Sequence, residues 1–93
     1  DGSITAANAS KINDGGAAVV LASDSYVKSK GLKPLARIVA HGTFAQDPKW
    51  FTTAPVNAIR KALDKAQLKV DDIDLFEINE AFGEEMIQLL RNL

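Results

Sequence analysis

The sequence predicts an α/β fold, a partial one in which a mostly parallel or mixed sheet is flanked by helices. Three short, largely apolar runs, at residues 17–22, 35–40 and 73–78, are predicted to be strands. The first contains no charged residue, and its length and branched side chains are typical of a strand buried on both faces. Each run is followed by a segment with helical caps or helical periodicity. This alternation of strand and helix along the chain is typical of a parallel sheet covered by helices.

The first two helices are predicted from their ends and from their apolar positions. Ser23 is a suitable N-cap for a helix over residues 24–30, and Gly31 is suited to ending it. Thr53 and Pro55 open a second helix with one apolar stripe and a charged opposite side. The stripe consists of Val56, Ile59, Leu63 and Ala66.

A third helix is predicted over residues 80–93. A long connection is predicted before the second helix. The connection, residues 42–52, includes Trp50 and Phe51, and loops of this length are often functional. These two aromatic side chains suit either a ligand tunnel or an interface, and the sequence leaves both open. The apolar face of the third helix consists of Phe82, Met86, Leu89, Leu90 and Leu93, which are expected to be mainly core residues.

Composition excludes several classes of protein. Eleven basic and twelve acidic residues among 93 give a net charge of -1, which predicts neither nucleic-acid binding nor an acidic tail. No apolar run has the length of a membrane span, and no signal segment opens the sequence. We therefore expect no nucleic-acid or membrane partner and a cytoplasmic location.

The sequence contains no cysteine, and this limits the chemistry that the chain performs by itself. Disulfides, zinc–thiolate sites and a thiol nucleophile are all excluded. His41 is the one histidine, and its position at the end of a predicted strand gives little reason to expect a catalytic base. No covalently bound cofactor is expected.

Asn79 and Glu80 follow the third apolar run, where a strand passes into a helix. The carboxyl end of a strand beside a helix N-terminus is where α/β proteins assemble ligand and oxyanion sites. Asn79 is equally suited to capping the helix, and Glu80 to complementing the helix dipole. Both readings stay open from the residues alone.

Several short motifs follow one another along residues 2–82. They lie at residues 2–10, with the loop Ala-Ala-Asn-Ala-Ser, at 12–15, 35–39, 54–56 with 58–59, and 72–82, which ends in Glu-Ile-Asn-Glu-Ala-Phe. In this order and spacing they resemble one continuous part of the thiolase family. The segment Trp-Phe-Thr-Thr-Ala-Pro at residues 50–55 is most similar to the bacterial acetyl-CoA acetyltransferases of that family.

The resemblance implies acyl transfer to and from coenzyme A through a cysteine thioester. It implies that Asn79 holds a water of the oxyanion hole and that coenzyme A or acetyl-CoA is the substrate. It also implies a possible potassium ion on the carbonyls of Ala6, Ala7 and Ala9. The residues implied to contact the coenzyme are Ser10, Ala6, Ile12 and Phe82.

Three elements of the family are missing from this sequence: the nucleophilic cysteine, the Gly-His-Pro histidine and a second cysteine. We therefore expect a fragment, a truncated or frameshifted product, or an incompletely determined chain, inactive in isolation. Residues 1–32 would end the first core domain, and residues 33–93 would begin the second. The intact relatives are implied to be homodimers or homotetramers. The isolated chain is expected to self-associate through its exposed apolar faces. The alternative to a part of an enzyme is a non-catalytic coenzyme A-binding or protein-interaction module that pairs through exposed strand edges.

Overall fold

The computed structural model describes residues 2, 5–80, 87, 89 and 91–93. Within them the helices are α1, Asp24–Lys30, and α2, Ala54–Ala66, with 3₁₀ helices at Pro48–Thr53 and Val70–Asp72. Both α-helices lie where the sequence predicts them. Ile87, Leu89, Arg91 and Asn92 are also helical, which agrees with the predicted third helix in its described part.

Local hydrogen bonds explain both ends of α1. The Ser23 hydroxyl accepts from the Tyr26 amide at 3.1 Å, so it serves as the predicted N-cap. Gly31 has a φ of 60°, and its amide donates to the Lys28 carbonyl at 3.3 Å. The Leu32 amide donates to the Val27 carbonyl at 3.0 Å, which completes a Schellman-type end.

The α2 helix ends in the same way, but with a glutamine in the left-handed position. Gln67 has a φ of 57°. Its amide donates to the Asp64 carbonyl at 3.1 Å, and the Leu68 amide donates to the Leu63 carbonyl at 3.0 Å. A side chain with a Cβ is disfavoured in this conformation, so the cap at Gln67 stores strain that the cap at Gly31 does not.

The predicted strands have no regular structure in the described part of the chain. Residues 17–22, 35–40 and 73–78 form no β-ladder there, although Ala9 makes an isolated bridge. A strand exists only when a neighbouring strand accepts and donates its backbone hydrogen bonds. The pairing of these segments stays a prediction.

The buried core of the described residues is small. Val56 on α2 is 5% exposed and Leu89 is 1% exposed. The Arg60 guanidinium donates to the Asn92 carbonyl, so the end of the chain lies beside α2. The predicted stripe of α2 is confirmed, because its other members, Ile59, Leu63 and Ala66, are half-buried.

The chain is much more open than a self-sufficient domain of its size. Its radius of gyration is 17.0 Å, whereas about 12 Å is typical for this length. Its accessible surface is 8237 Å², against about 5,200 Å² for a compact protein of this mass. The excess of roughly 3,000 Å² is several times one partner's share of a standard protein interface, about 800 Å².

Candidate functional site

The loop at residues 5–11 contains most of the predicted ligand contacts, and its own hydrogen bonds shape it. The Thr5 amide donates to Asn8 Oδ1 at 2.6 Å, and the Asn8 amide donates to the Thr5 carbonyl at 3.1 Å. The Ala7 amide donates to Thr5 Oγ1 at 3.2 Å. Three backbone amides, those of Thr5, Ala7 and Asn8, thereby have hydrogen-bond acceptors inside a tight turn, as expected for Asn and Thr side chains that bond the local backbone.

Lys11 closes this loop from its far end. Its ammonium donates to the Ala6 carbonyl at 2.7 Å, a short distance typical of a charge-assisted bond. Lys11 could not be singled out from the sequence, because a contact with a carbonyl five residues earlier depends on the shape of the turn. A cation therefore lies on one of the three carbonyls implied for potassium.

The predicted coenzyme contacts lie at an open surface. Ala6 and Ser10 are exposed, and the side chain of Ile12 is fully exposed at 104%. Asn79 is exposed as well, and it follows half-buried Ile78 in a segment without regular structure. Phe82 lies outside the described residues, as does the start of the helix that Asn79 was expected to cap. No wall formed by the described residues closes over these positions.

A second ordered region is the loop that precedes α2, which packs directly on that helix. A Cβ added at Gly42 would lie 2.5 Å from the Ala58 carbonyl oxygen and 2.8 Å from the Ala62 amide nitrogen. Lys65 donates to the His41 carbonyl at 3.0 Å, and Lys61 donates to the Thr43 carbonyl at 3.3 Å. The Lys61 ammonium also lies 5.0 Å from the centre of the Phe44 ring. Glycine at position 42 is required because backbone meets backbone there.

The same loop presents Trp50 and Phe51, which are 56% and 49% exposed. The side-chain Nε2 of Gln46 donates to the Trp50 carbonyl and, at 2.6 Å, to Thr53 Oγ1. The Asp47 carboxylate caps the following turn by accepting from the Lys49 amide at 3.0 Å. These bonds fix the backbone that presents the two aromatic rings, a 3₁₀ turn that the sequence did not predict.

An apolar groove lies next to α1. It has a volume of about 510 Å³ and is lined by Val20, Leu21, Ala22, Ser23, Tyr26 and Leu32. Val20 is 98% exposed although its run of residues has the composition of a buried strand. Beside the groove, Asp24 pairs with Lys28 and with Arg37, each at 2.9 Å. Hydrogen bonds from Lys28, and then from Arg37, hold the pKa of the Asp24 carboxyl below its ordinary value of 3.8.

The described part of the chain has neither a cluster of metal-ligating side chains nor a helix that could span a membrane. No three histidine, aspartate or glutamate side chains there approach closely enough to share a metal ion. No described helix has both the length and the apolar character needed to cross a bilayer.

Comparison with known proteins identifies the family. The sequence model of the family described as the thiolase C-terminal domain matches residues 32–93, two thirds of the chain. The chain belongs to the thiolase family. The acetyl-CoA acetyltransferase of Schizosaccharomyces pombe is 55% identical over 83 residues, covering 89% of this chain and 21% of that protein. The acetyl-CoA acetyltransferase of Paracoccus denitrificans is 45% identical over 93 residues, covering all of this chain and 24% of that protein.

The backbone of this chain superimposes on parts of solved thiolase structures. The crystal structure of the Bacillus anthracis acetyl-CoA acetyltransferase superimposes with a TM-score of 0.70 at 43% identity, covering 74% of this chain and 18% of that one. Human mitochondrial 3-ketoacyl-CoA thiolase gives a TM-score of 0.71, also at 43% identity, covering 75% of this chain and 18% of that one. The fold is therefore a part of the α/β thiolase fold. This chain spans between a fifth and a quarter of the length of the matched sequence relatives.

Proposed function

We propose that this chain forms part of an acyltransferase that joins two acetyl-CoA molecules into acetoacetyl-CoA and coenzyme A, or catalyses the reverse thiolysis. The observation that carries the proposal is the 45–55% identity to acetyl-CoA acetyltransferases over 89–100% of the chain. The order and spacing of the motifs from residue 6 to residue 82 support the same conclusion.

The chemistry divides between this chain and the remainder of such an enzyme. A cysteine thiolate must accept the acyl group, and the 93 residues contain none, so the nucleophile lies elsewhere. Both the thioester enolate and the tetrahedral intermediate develop negative charge on oxygen, which preorganised hydrogen-bond donors stabilise. We assign this role to Asn79, which would hold a water at the oxyanion. Ser10, with Ala6, Ile12 and Phe82, would contact the coenzyme.

The test of this role compares two substitutions of Asn79 in a polypeptide that continues to the missing cysteines and histidine. Asn79→Asp keeps a side-chain oxygen able to cap a helix but replaces the donor with an acceptor. Loss of an oxyanion donor costs about 3–4 kcal/mol when direct, and a water-mediated donor somewhat less, so turnover should fall far more than substrate affinity. Asn79→Ala removes both functions and should also lower the melting temperature. An Asn79→Asp enzyme that turns over at the wild-type rate would leave Asn79 with a capping role only.

The three apolar runs are proposed to pair in a mostly parallel or mixed sheet with strands contributed by other parts of the enzyme. Large apolar side chains in all three runs are exposed in the isolated chain, with Val20 at 98%, Leu35 at 106% and Leu75 at 90%, which supports this proposal. Residues 1–32 would belong to the first core domain and residues 33–93 to the second. The start of the family match at residue 32 is compatible with that division.

The exposed apolar surface also leads us to propose that the isolated chain self-associates. Unpaired strand backbone and a contiguous apolar face both promote contact between copies. Sedimentation velocity at several protein concentrations measures this directly. The proposal expects a weight-average mass that rises with concentration, and a constant mass of 10.0 kDa would contradict it.

A second candidate function is a non-catalytic module that binds coenzyme A or a protein partner. The observation that favours it is the ordered loop at residues 5–11, which forms its turn without help from the rest of an enzyme. Calorimetric titration of coenzyme A into the 93-residue chain separates the two functions. Saturable heat would support a binding module, whereas no heat up to millimolar ligand would remove it and leave the acyltransferase proposal intact.

A further inference from the structure

The loop at residues 5–11 does not offer the carbonyl of Ala6 to a metal cation in the way that the family resemblance implies. Inside the turn, the amides of Thr5 and Asn8 donate to Asn8 Oδ1 and to the Thr5 carbonyl. The carbonyl of Ala6 instead accepts a hydrogen bond from a side chain outside the turn. The donor is the Lys11 ammonium at 2.7 Å. This group brings one unit of positive charge to the oxygen, at a distance comparable to that of a coordinated monovalent cation.

Electrostatics makes the ammonium and a bound ion competitors. A potassium ion on the same carbonyl oxygen would lie only a few ångströms from the Lys11 nitrogen. Two like charges about 4 Å apart repel enough to weaken ion binding roughly fivefold in a water-like medium, and roughly a thousandfold at an effective dielectric constant near 20. The competition therefore becomes stronger if further protein covers the loop and lowers the dielectric constant around it.

We propose that the Lys11 side chain is the built-in cation of this loop and replaces a potassium ion at the Ala6 carbonyl. The lysine is part of the chain, so its charge is present at every ionic composition, and the loop keeps its shape without a specific salt. The proposal concerns only the loop and goes beyond acyl transfer. It predicts a protein whose loop is insensitive to the choice between potassium and sodium.

The test follows the backbone of the loop by nuclear magnetic resonance in the full 93-residue chain. The carbonyl carbon of Ala6 and the amides of Ala7 and Asn8 are recorded while potassium chloride replaces sodium chloride at constant ionic strength. Wild-type protein is compared with Lys11→Met, which removes the charge at similar length. Lys33→Met, which removes a lysine outside the loop, is the matched control.

We expect the wild-type and Lys33→Met signals to show no saturable response specific to potassium. Lys11→Met should shift the Ala6 carbonyl signal and gain a saturable potassium response that the wild type lacks. A saturable potassium response in the wild type, an Ala6 carbonyl unaffected by Lys11→Met, or no gained response in that variant would each overturn the proposal. The measurement needs no turnover, so its failure is distinct from failure of the acyltransferase proposal.

Discussion

Replacing Gly42 with alanine is the substitution for which the structure gives the clearest magnitude. The new Cβ would lie 2.5 Å from the Ala58 carbonyl oxygen, whereas ordinary contact begins near 3.4 Å, so the loop must retreat by about 0.9 Å. Both obstructing atoms belong to the backbone of α2 and have no alternative rotamer. The retreat would also move the His41 and Thr43 carbonyls away from α2, so the lysine side chains that now donate to them at 3.0 and 3.3 Å would have to rearrange.

Overpacking of this kind typically costs about 1–3 kcal/mol, and we expect about 2 kcal/mol for Gly42→Ala. Urea unfolding checks the value, with Trp50 as the reporter, because it is the one tryptophan of the chain and lies on the same loop. Gly16→Ala is the matched control, since a Cβ there meets nothing within 4 Å and the change should stay within about 0.5 kcal/mol. Equal stability of the two variants would refute the close packing of the loop on α2.

Two further predictions concern the ends of the helices. Gln67→Gly should raise the free energy of unfolding by about 1 kcal/mol, because glycine adopts the φ of 57° without strain. Urea unfolding measures this gain. The control, Gln67→Ala, keeps a Cβ and should show no such gain. The carboxyl of Asp24 has a lowered pKa, so its contribution to stability is complete above pH 3.8 and is lost as the pH falls through the lower folded value. Carbon-13 titration should show a midpoint below 3.8 that moves upward in Lys28→Met; a midpoint unchanged by that substitution would contradict the assignment of the main cause to Lys28.

The helices could be predicted because their determinants are local in sequence. A serine cap, a closing glycine and an apolar stripe each act within one or two turns, and both α1 and α2 formed where these signals lie. Strand pairing depends on residues far along the chain or outside it. The runs near Val20, Leu35 and Leu75 therefore show the composition of strands without a ladder among the described residues.

In the candidate site too, local motifs could be read from the sequence, whereas contacts that depend on the path of the chain could not. The motifs identified the family, but the contact of Lys11 with Ala6 and the packing of Gly42 on α2 depend on the path of the backbone. The sequence around Lys11 does not indicate whether its side chain contacts the backbone or extends into solvent. In the same way, the sequence around Gly42 does not indicate whether a helix packs against it. The assignments of Asn79 and Ser10 stay predictions that rest on the family resemblance.

The central claim is that this chain is one part of an acyltransferase whose nucleophile lies in another part. The most direct test measures thiolysis of acetoacetyl-CoA by coenzyme A. It compares the 93-residue chain with a polypeptide continued at both ends to include the thiolase cysteines and histidine. We predict no turnover above background for the isolated chain, because it has no thiol to accept the acyl group. The continued polypeptide should turn over acetoacetyl-CoA. Turnover by the isolated chain, or a folded continued polypeptide without activity, would contradict the account.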